Sequence, residues 1–142
     1  MKLSLYTDYS LRVLLYLGAN PGRRVTMAEI AESYGISHEH LRKVVHLLGK
    51  RGYIETYRGK HGGFELKKEP AQINVGEVIE VTEPRQPVID CSSQPCILQF
   101  ACTLQSALSR AEQAFYEVLK TYSLADILKS RRTRDILLRH LE

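Results

Sequence analysis

Membrane-spanning and secretory features are missing from this sequence of 142 residues. No apolar run approaches the ~20 residues that a helix needs to cross a bilayer. The first nine residues lack the apolar stretch and the small-residue cleavage site of a signal peptide. We therefore expect a cytoplasmic protein that has no membrane partner.

Catalytic motifs are missing as well. The sequence has no recognisable nucleophile–base pair, no phosphate-binding glycine loop before a helix and no pattern of paired carboxylates. A chain of this length also leaves little room for a substrate pocket. The sequence therefore predicts that the protein is not an enzyme.

Cysteine is scarce and unevenly placed. Only Cys91, Cys96 and Cys102 are present, all within twelve residues. Three thiols cannot pair off completely, and a reducing compartment disfavours a structural disulfide. Thiolates are preferred ligands of soft metals and iron–sulfur clusters, which favours a metal site. A zinc site, a thiol redox switch and three idle thiols are the alternatives. Because there is no fourth cysteine, either one iron of a cluster stays open or a further ligand comes from elsewhere, with Asp90, the histidines and other carboxylates as candidates.

Positive charge is concentrated in the first half of the chain. Residues 1–70 contain 12 Lys and Arg against 7 Asp and Glu, a net of +5, whereas residues 71–142 contain 8 against 9, a net of −1. This asymmetry indicates a polyanionic partner for the first half, such as a nucleic acid.

Capping residues mark the first two helices. Thr7 or Asp8 is predicted to cap the first helix, which ends before the turn signal Asn20-Pro21-Gly22. Thr26 and Glu29 have the spacing of a capping box, in which each side chain bonds the backbone amide of the other residue. This box predicts the start of a second helix.

The second and third helices have the short connection of a helix-turn-helix motif. Gly35 can adopt the left-handed conformation that closes a helix, and Ser37 is predicted to cap the next one, which runs to about Arg51. An apolar seam and a largely basic opposite face suit the major groove of DNA, although a solvated surface helix is the alternative. The residues predicted to contact DNA from this helix are Ser37, His38, Glu39, Arg42 and Lys43.

A β-hairpin is predicted directly after the third helix. Strands near 53–57 and 64–66 flank a glycine-rich basic tip. Arg58 and Lys60 in this tip are predicted to contact phosphates or the minor groove. The sequence therefore predicts a mostly α fold with a small β-hairpin wing: a winged helix-turn-helix DNA-binding domain followed by a long dimerisation helix.

That long helix is predicted to begin at Ala101. Its apolar residues follow the spacing of a coiled-coil seam as far as Ala125. We expect a homodimer, because such a seam in a short chain usually meets a second subunit and two-fold symmetry reads two DNA half-sites. The basic stretch 129–134 is interpreted as a solvated helix end. The predicted domains are a DNA-binding domain at 1–83, a cysteine segment at 84–103, and the dimerisation helix and tail at 104–142.

The sequence resembles a family of winged-helix iron–sulfur regulators of transcription. The resemblance covers almost the whole chain and is strongest toward family members that are nitric-oxide-sensing repressors. The features that carry it are Tyr6-Thr7-Asp8-Tyr9-Ser10-Leu11-Arg12, the turn Tyr34-Gly35-Ile36-Ser37, the wing Arg58-Gly59-Lys60-His61-Gly62-Gly63, the three cysteines, and Tyr122-Ser123-Leu124-Ala125-Asp126.

This resemblance implies a [4Fe-4S] cluster held by Cys91, Cys96 and Cys102, with Asp8 of the partner subunit as the fourth ligand. A second branch of the family uses a histidine three residues after the last cysteine, where this chain has Gln105. The resemblance also implies that the dimer binds an imperfect palindrome in double-stranded promoter DNA and that nitric oxide is the signal. A [2Fe-2S] cluster, an iron- or redox-responsive regulator of the same family, and a zinc- or thiol-based repressor are the alternatives.

Overall fold

The computed structural model of the chain describes residues 2–139, so the outermost ends of the predicted first and last domains lie outside the described residues. Its architecture, mostly helical with one two-stranded hairpin, confirms the predicted fold class. In chain order the elements are α1 Leu5–Ala19, α2 Met27–Tyr34, α3 His38–Lys50, β1 Ile54–Tyr57, β2 Gly63–Leu66, a 3₁₀ turn Pro70–Gln72, α4 Val75–Thr82, α5 Thr103–Lys120, α6 Leu124–Leu128 and α7 Arg131–Arg139.

The first helix begins earlier than predicted. Its N-cap is Ser4, whose Oγ accepts a hydrogen bond from the amide of Thr7 at 3.2 Å, so the predicted cap at Thr7 or Asp8 is wrong. The cause is a long-range contact. The carboxylate of Glu83 accepts hydrogen bonds from the Ser4 amide at 2.9 Å and from Thr7 Oγ1 at 2.5 Å. Thr7 is therefore buried within the first turn. The helix ends at the predicted turn, with Asn20 as its C-cap.

The helix-turn-helix motif lies where it was predicted. Thr26 and Glu29 form the capping box of α2, and Gly35 closes that helix with φ of 64°. Ser37 then caps α3. The apolar seam of α3 packs into the core and comprises Leu41, Val44, Val45 and Leu48.

The hairpin forms as an antiparallel pair, with Tyr57 opposite Gly63. The backbone before α2 adds to its edge, because Val25 and Phe64 exchange two hydrogen bonds of 2.9 Å. Gly63 has a φ of 141°, and a Cβ at this position would lie 2.7 Å from the carbonyl oxygen of Val25. Only glycine permits this approach, so the wing is held against the segment that precedes α2.

The long helix is shorter than predicted. α5 ends at Lys120, and Ser123 forms a capping box with Asp126 that starts α6. The amide of Leu124 donates a hydrogen bond of 2.8 Å to the carbonyl of Ile73, which ties this junction to the segment before α4. The prediction of one continuous helix through this point is therefore wrong.

No residue of α5 is buried in the described chain. Leu104 and Val118 on this helix are 59% and 57% exposed. α4 packs closely on the end of α5, since a Cβ at Gly76 would lie 2.6 Å from the backbone nitrogen of Lys120. The remaining apolar surface of α5 has the character of an interaction surface.

The core gathers around α1. Leu14 of α1 and Leu41 of α3 are fully buried, and Leu124, Leu128 and Leu137 from α6 and α7 join the same cluster. The C-terminal helices therefore return to the N-terminal half, and the division of the chain after residues 83 and 103 stays a prediction. Across residues 2–139, none of the helices combines the length and the apolar character that crossing a bilayer requires.

Candidate functional site

The five residues predicted to contact DNA from α3 are all exposed, at or near its N-terminus: Ser37, His38, Glu39, Arg42 and Lys43. The Oγ of Ser37 accepts a hydrogen bond from the amide of His40 at 3.3 Å and lies 2.8 Å from His40 Nδ1. This cap fixes the backbone at the end of the helix where free amides and the helix dipole favour a phosphate.

The charged side chains on α3 form only weak ion pairs within the described chain. Lys43 Nζ lies 3.4 Å from Glu39 Oε1, and the two side chains are 65% and 76% exposed. An exposed pair of this kind contributes about 0–1 kcal/mol, so a phosphate can replace Glu39 at little cost. Among residues 2–139, Arg42 forms no ion pair within 4.0 Å. The helix therefore presents available positive charge.

The wing tip is a tight exposed turn. The amide of Gly62 donates to the carbonyl of Gly59 at 2.9 Å, and a Cβ at Gly62 would lie 2.6 Å from the carbonyl oxygen of Tyr57. Arg58 and Lys60 are exposed on this turn, as predicted. The small glycine residues let the backbone of the tip approach a nucleic acid closely.

α1 contacts α3 through two aromatic side chains. The hydroxyl of Tyr6 donates to the carbonyl of Lys43 at 3.3 Å. The ring of Tyr9 lies 5.9 Å, centroid to centroid, from that of His40. Asp8, the predicted fourth cluster ligand, lies between these tyrosines in the sequence. A shift of this turn of α1 would therefore reach the predicted DNA-contacting helix directly.

Asp8 itself pairs with Arg12 within α1. Arg12 Nε donates to Asp8 Oδ1 at 3.0 Å, and the side chains are 43% and 38% exposed for Arg12 and Asp8 respectively. This hydrogen bond raises the pKa of Arg12. The Arg12 guanidinium also lies 5.5 Å from the ring centroid of Tyr34, whose pKa burial raises to about 12. Tyr34 ends α2, so contacts lead from Asp8 to the helix-turn-helix.

The three cysteines lie between α4 and the start of α5, in a segment without regular helix or strand. All are free thiols. Cys96 is exposed, and Cys91 and Cys102 are half-buried. In residues 2–139, no three histidine, cysteine, aspartate or glutamate side chains lie close enough together to hold a metal ion. The segment therefore does not gather the thiols in this conformation, and Asp8 does not join them within one chain.

The chemistry of this donor set nevertheless suits a soft metal. Cys102 is the N-cap of α5, and its Sγ accepts a hydrogen bond from the amide of Gln105 at 3.4 Å. An amide donor and the positive end of a helix favour negative charge on that sulfur, which a metal-bound thiolate carries. Cys102 is the one cysteine anchored to a regular element.

Asp90 is occupied by a local turn. Its Oδ1 accepts hydrogen bonds from the Ser92 amide at 2.9 Å, from Ser92 Oγ at 2.6 Å and from the Ser93 amide at 3.2 Å. The hydrogen bonds from Ser92, followed by those from Ser93, lower the pKa of Asp90 to about 2. Asp90 therefore shapes the backbone beside Cys91, and one of its oxygens is already engaged.

Two residues near the predicted DNA surface were missed by sequence reasoning. His40 is exposed on α3 beside Ser37, and its position in the helix could have suggested it. Arg24 contacts the wing from the other side of the motif: it donates a hydrogen bond to the carbonyl of His61 at 3.2 Å. No local sequence pattern marks this role of Arg24, since Arg24 and His61 are 37 positions apart in the sequence.

Comparison with known proteins gives a consistent result. Residues 3–130 match the Rrf2 family, described as an iron-dependent transcriptional regulator. The HTH-type transcriptional regulator NsrR of Bacillus licheniformis is 46% identical over 92% of this chain and 94% of its own. NsrR of Shouchella clausii is 44% identical over 90% and 89%. The solved structure of T. potens IscR has a TM-score of 0.72 at 28% identity, covering 91% of this chain and 87% of that one.

These matches confirm the resemblance to a family of transcriptional regulators that the sequence motifs indicated, and the curated relatives named above are both NsrR proteins. The relatives are named as regulators of transcription, which confirms that the chain is not of an enzyme family.

Proposed function

The chain belongs to the Rrf2 family of transcriptional regulators, and from this premise we propose that it is a cytoplasmic, dimeric repressor that senses nitric oxide through an iron–sulfur cluster. The observation that carries the proposal is the position of α1. The same turn of this helix holds Asp8 and contacts the predicted DNA-contacting helix through Tyr6 and Tyr9.

The DNA-binding surface comprises α3 and the wing. A helix that follows a helix-turn-helix connection enters the major groove with its N-terminal residues toward the bases, and here those residues are exposed. Arg42 and Lys43 supply charge from α3, and Arg58 and Lys60 supply it from the wing tip. An imperfect palindrome of double-stranded promoter DNA is the expected target, because a two-fold dimer presents two such surfaces.

The dimer is formed through α5. None of its residues is buried in the described chain, and the apolar side chains of Leu104 and Val118 are mostly exposed. Burial of apolar surface is the main favourable term in association, worth roughly 25 cal/mol per Å² before the cost of ordering. A second copy of the same helix covers this surface with the symmetry that a palindrome requires.

The cluster ligands are Cys91, Cys96 and Cys102 of one subunit and Asp8 of the partner subunit. A [4Fe-4S] cluster is proposed, with [2Fe-2S] as the alternative, and it would supply an iron from which nitric oxide could displace the non-thiolate ligand. The cysteine segment has to close for its three thiols to converge. The third residue after the last cysteine is Gln105 rather than histidine, which favours ligation by Asp8.

Asp8 links the two ends of the molecule. When its carboxylate is held by the other subunit, α1 is held in place with it, and Tyr6 and Tyr9 then hold α3. When that restraint is lost, the two recognition helices of the dimer are free to change their separation. Half-sites must lie about one helical turn apart, so a small shift weakens DNA binding. The cluster site and the DNA-binding surface are then coupled, because the free energy of DNA binding differs between the restrained and the released dimer.

The experiment is metal analysis of anaerobically purified protein, with Cys91→Ser, Cys96→Ser and Cys102→Ser as variants. Iron and acid-labile sulfide in the wild type, lost in each variant together with tight DNA binding, support the proposal. One zinc per chain without iron would replace it with a zinc-based repressor. Tight DNA binding by metal-free protein that responds to peroxide would indicate a thiol-based repressor instead. An iron- or redox-responsive regulator is favoured if the cluster is present and nitric oxide has no effect on binding.

A further inference from the structure

One arginine outside the recognition helix braces the wing. The Cζ of Arg24 lies 3.6 Å from the ring centroid of Tyr57, at the end of β1. Its Nη1 donates a hydrogen bond of 3.2 Å to the carbonyl of His61 in the tip. The next residue, Val25, pairs through its backbone with Phe64 of β2. A single side chain thus touches both the strand that enters the tip and the tip itself.

The ring under Arg24 is held in place. The hydroxyl of Tyr57 donates to Glu65 Oε1 across the hairpin at 2.8 Å. Gly63 excludes any side chain between β2 and the Arg24 segment, since a Cβ there would lie 3.3 Å from Arg24 Cβ and closer still to the Val25 backbone. Arg24 therefore packs on an aromatic ring whose position is fixed by its own contacts within the hairpin.

The tip has little other support. Its internal hydrogen bond runs from the Gly62 amide to the Gly59 carbonyl. Within the part of the chain that the structure describes, neither Arg58 nor Lys60 forms an ion pair. A tip that has to be ordered at the moment of binding lowers affinity, and a pre-organised one does not.

We propose that Arg24 is a positioning residue for DNA recognition, which holds the wing tip in the orientation in which Arg58 and Lys60 meet the DNA. The inference rests on the proposed contact between the wing and DNA. This positioning role requires arginine specifically, because a planar guanidinium can stack on an aromatic ring and donate a hydrogen bond to a carbonyl in the same conformation. Lysine keeps the charge but not that geometry.

The test compares Arg24→Ala and Arg24→Lys with Lys68→Ala. Lys68 is a matched control, since its Nζ lies 4.9 Å from the ring of Tyr53 at the opposite end of the hairpin. The probe is a duplex of about 30 base pairs, long enough for two half-sites one turn apart, selected from a random pool by anaerobically prepared wild-type protein. Both Arg24 variants should bind about three- to tenfold more weakly, the scale of one cation–π contact with its hydrogen bond. The Lys68 variant should stay within about twofold of wild type.

Hydrogen exchange separates positioning from loss of charge. The Gly62 amide, which donates the hydrogen bond within the tip, should exchange faster in both Arg24 variants and not in Lys68→Ala, while the rest of the chain and the thermal midpoint stay unchanged. Tyr57→Leu should weaken binding to a similar degree, and adding Arg24→Ala to it should cost little more. Wild-type affinity in Arg24→Lys would overturn the inference, as would independent effects of the Arg24 and Tyr57 changes. Failure of the wild type to select any duplex would instead refute the proposed function.

Discussion

Arg12 Nε donates a hydrogen bond to Asp8 Oδ1 at 3.0 Å, one turn apart on α1. In residues 2–139 no hydrogen bond reaches the other carboxylate oxygen of Asp8, so this residue can accept a further partner. Its neighbours Tyr6 and Tyr9 contact α3, and Arg12 lies over Tyr34 at the end of α2. The proposed cluster ligand is therefore surrounded by contacts to the helix-turn-helix.

The first prediction concerns Asp8. Asp8→Ala should leave the protein folded and still able to bind iron through its cysteines, but cluster absorbance should decay several-fold faster in air, because the fourth ligand is lost. Arg12→Ala is the matched control, since it breaks the same ion pair and keeps the carboxylate. It should decay at close to the wild-type rate. Equal rates for Asp8→Ala and wild type would remove Asp8 from the ligand set.

The second prediction separates the two roles of Ser37, as helix cap and as DNA contact. Ser37→Ala should lower the free energy of unfolding by about 1 kcal/mol, the usual cost of a lost N-cap. Ser37→Asp preserves a cap and should keep stability near that of the wild type, yet it places a negative charge where a phosphate is expected. It should therefore weaken DNA binding more than Ser37→Ala does. Unfolding by urea and anisotropy of a labelled duplex measure the two effects, and equal binding by both variants would place Ser37 away from the DNA.

The third prediction distinguishes base reading from phosphate contact. Arg42→Ala on α3 should cost about 1–3 kcal/mol on the selected duplex and much less on unrelated DNA. Lys60→Ala in the wing should weaken binding to both duplexes similarly. It should also lower the slope of log affinity against log salt concentration by about one. Binding titrations at several salt concentrations measure both quantities. An Arg42 effect that is uniform across sequences would show that this residue contacts only phosphate.

The fourth prediction follows from Glu83. Partial burial opposes its ionisation, but hydrogen bonds from Thr7 and Ser4 outweigh this and lower the pKa of Glu83. A carboxylate with a lowered folded pKa stabilises the protein above its unfolded pKa of ~4.3, and this is lost as pH falls through the folded value. Glu83→Gln should therefore cost about 1 kcal/mol or less at pH 7, given its partial exposure.

The cost of Glu83→Gln should shrink toward zero as the pH falls through the lowered pKa of Glu83 in the folded protein, because the wild-type carboxyl then becomes neutral as well. Glu32→Gln is the control. Glu32 is exposed on α2, so its replacement should leave the free energy of unfolding unchanged across the pH series. Urea unfolding at a series of pH values measures the difference. A cost that is the same at neutral and acidic pH would mean that the ionised form of Glu83 is not what stabilises α1.

The elements that were predicted correctly depend on residues three or four positions apart. Thr26 with Glu29, Gly35 and Ser37 act within one turn of their helices, so their patterns are visible in the sequence. The start of α1 was missed because Glu83, 79 residues from Ser4, fixes it. Likewise α5 ends early because the chain turns at the Ser123 cap to bury Leu124 in the core, although the apolar spacing continues.

The candidate site shows the same division. Exposure of Arg42, Arg58 and Lys60 could be predicted, since each follows from the face of one element. The contact of Arg24 with Tyr57 could not, because it depends on how the segment before α2 meets the hairpin. Convergence of the three cysteines depends on closure of an irregular segment and on a second subunit, which no local pattern determines.

The coupling between the cysteine segment and DNA is tested most directly by adding nitric oxide stepwise to anaerobic, iron-loaded protein bound to a labelled duplex. Cluster absorbance and DNA anisotropy are recorded in the same cell, with Cys96→Ser as the cluster-free control. The expected result is release of DNA in proportion to the absorbance lost, and weak binding without a response in the control. DNA affinity that stays constant while the cluster absorbance disappears would show that the cysteine segment and the DNA-binding surface are not coupled.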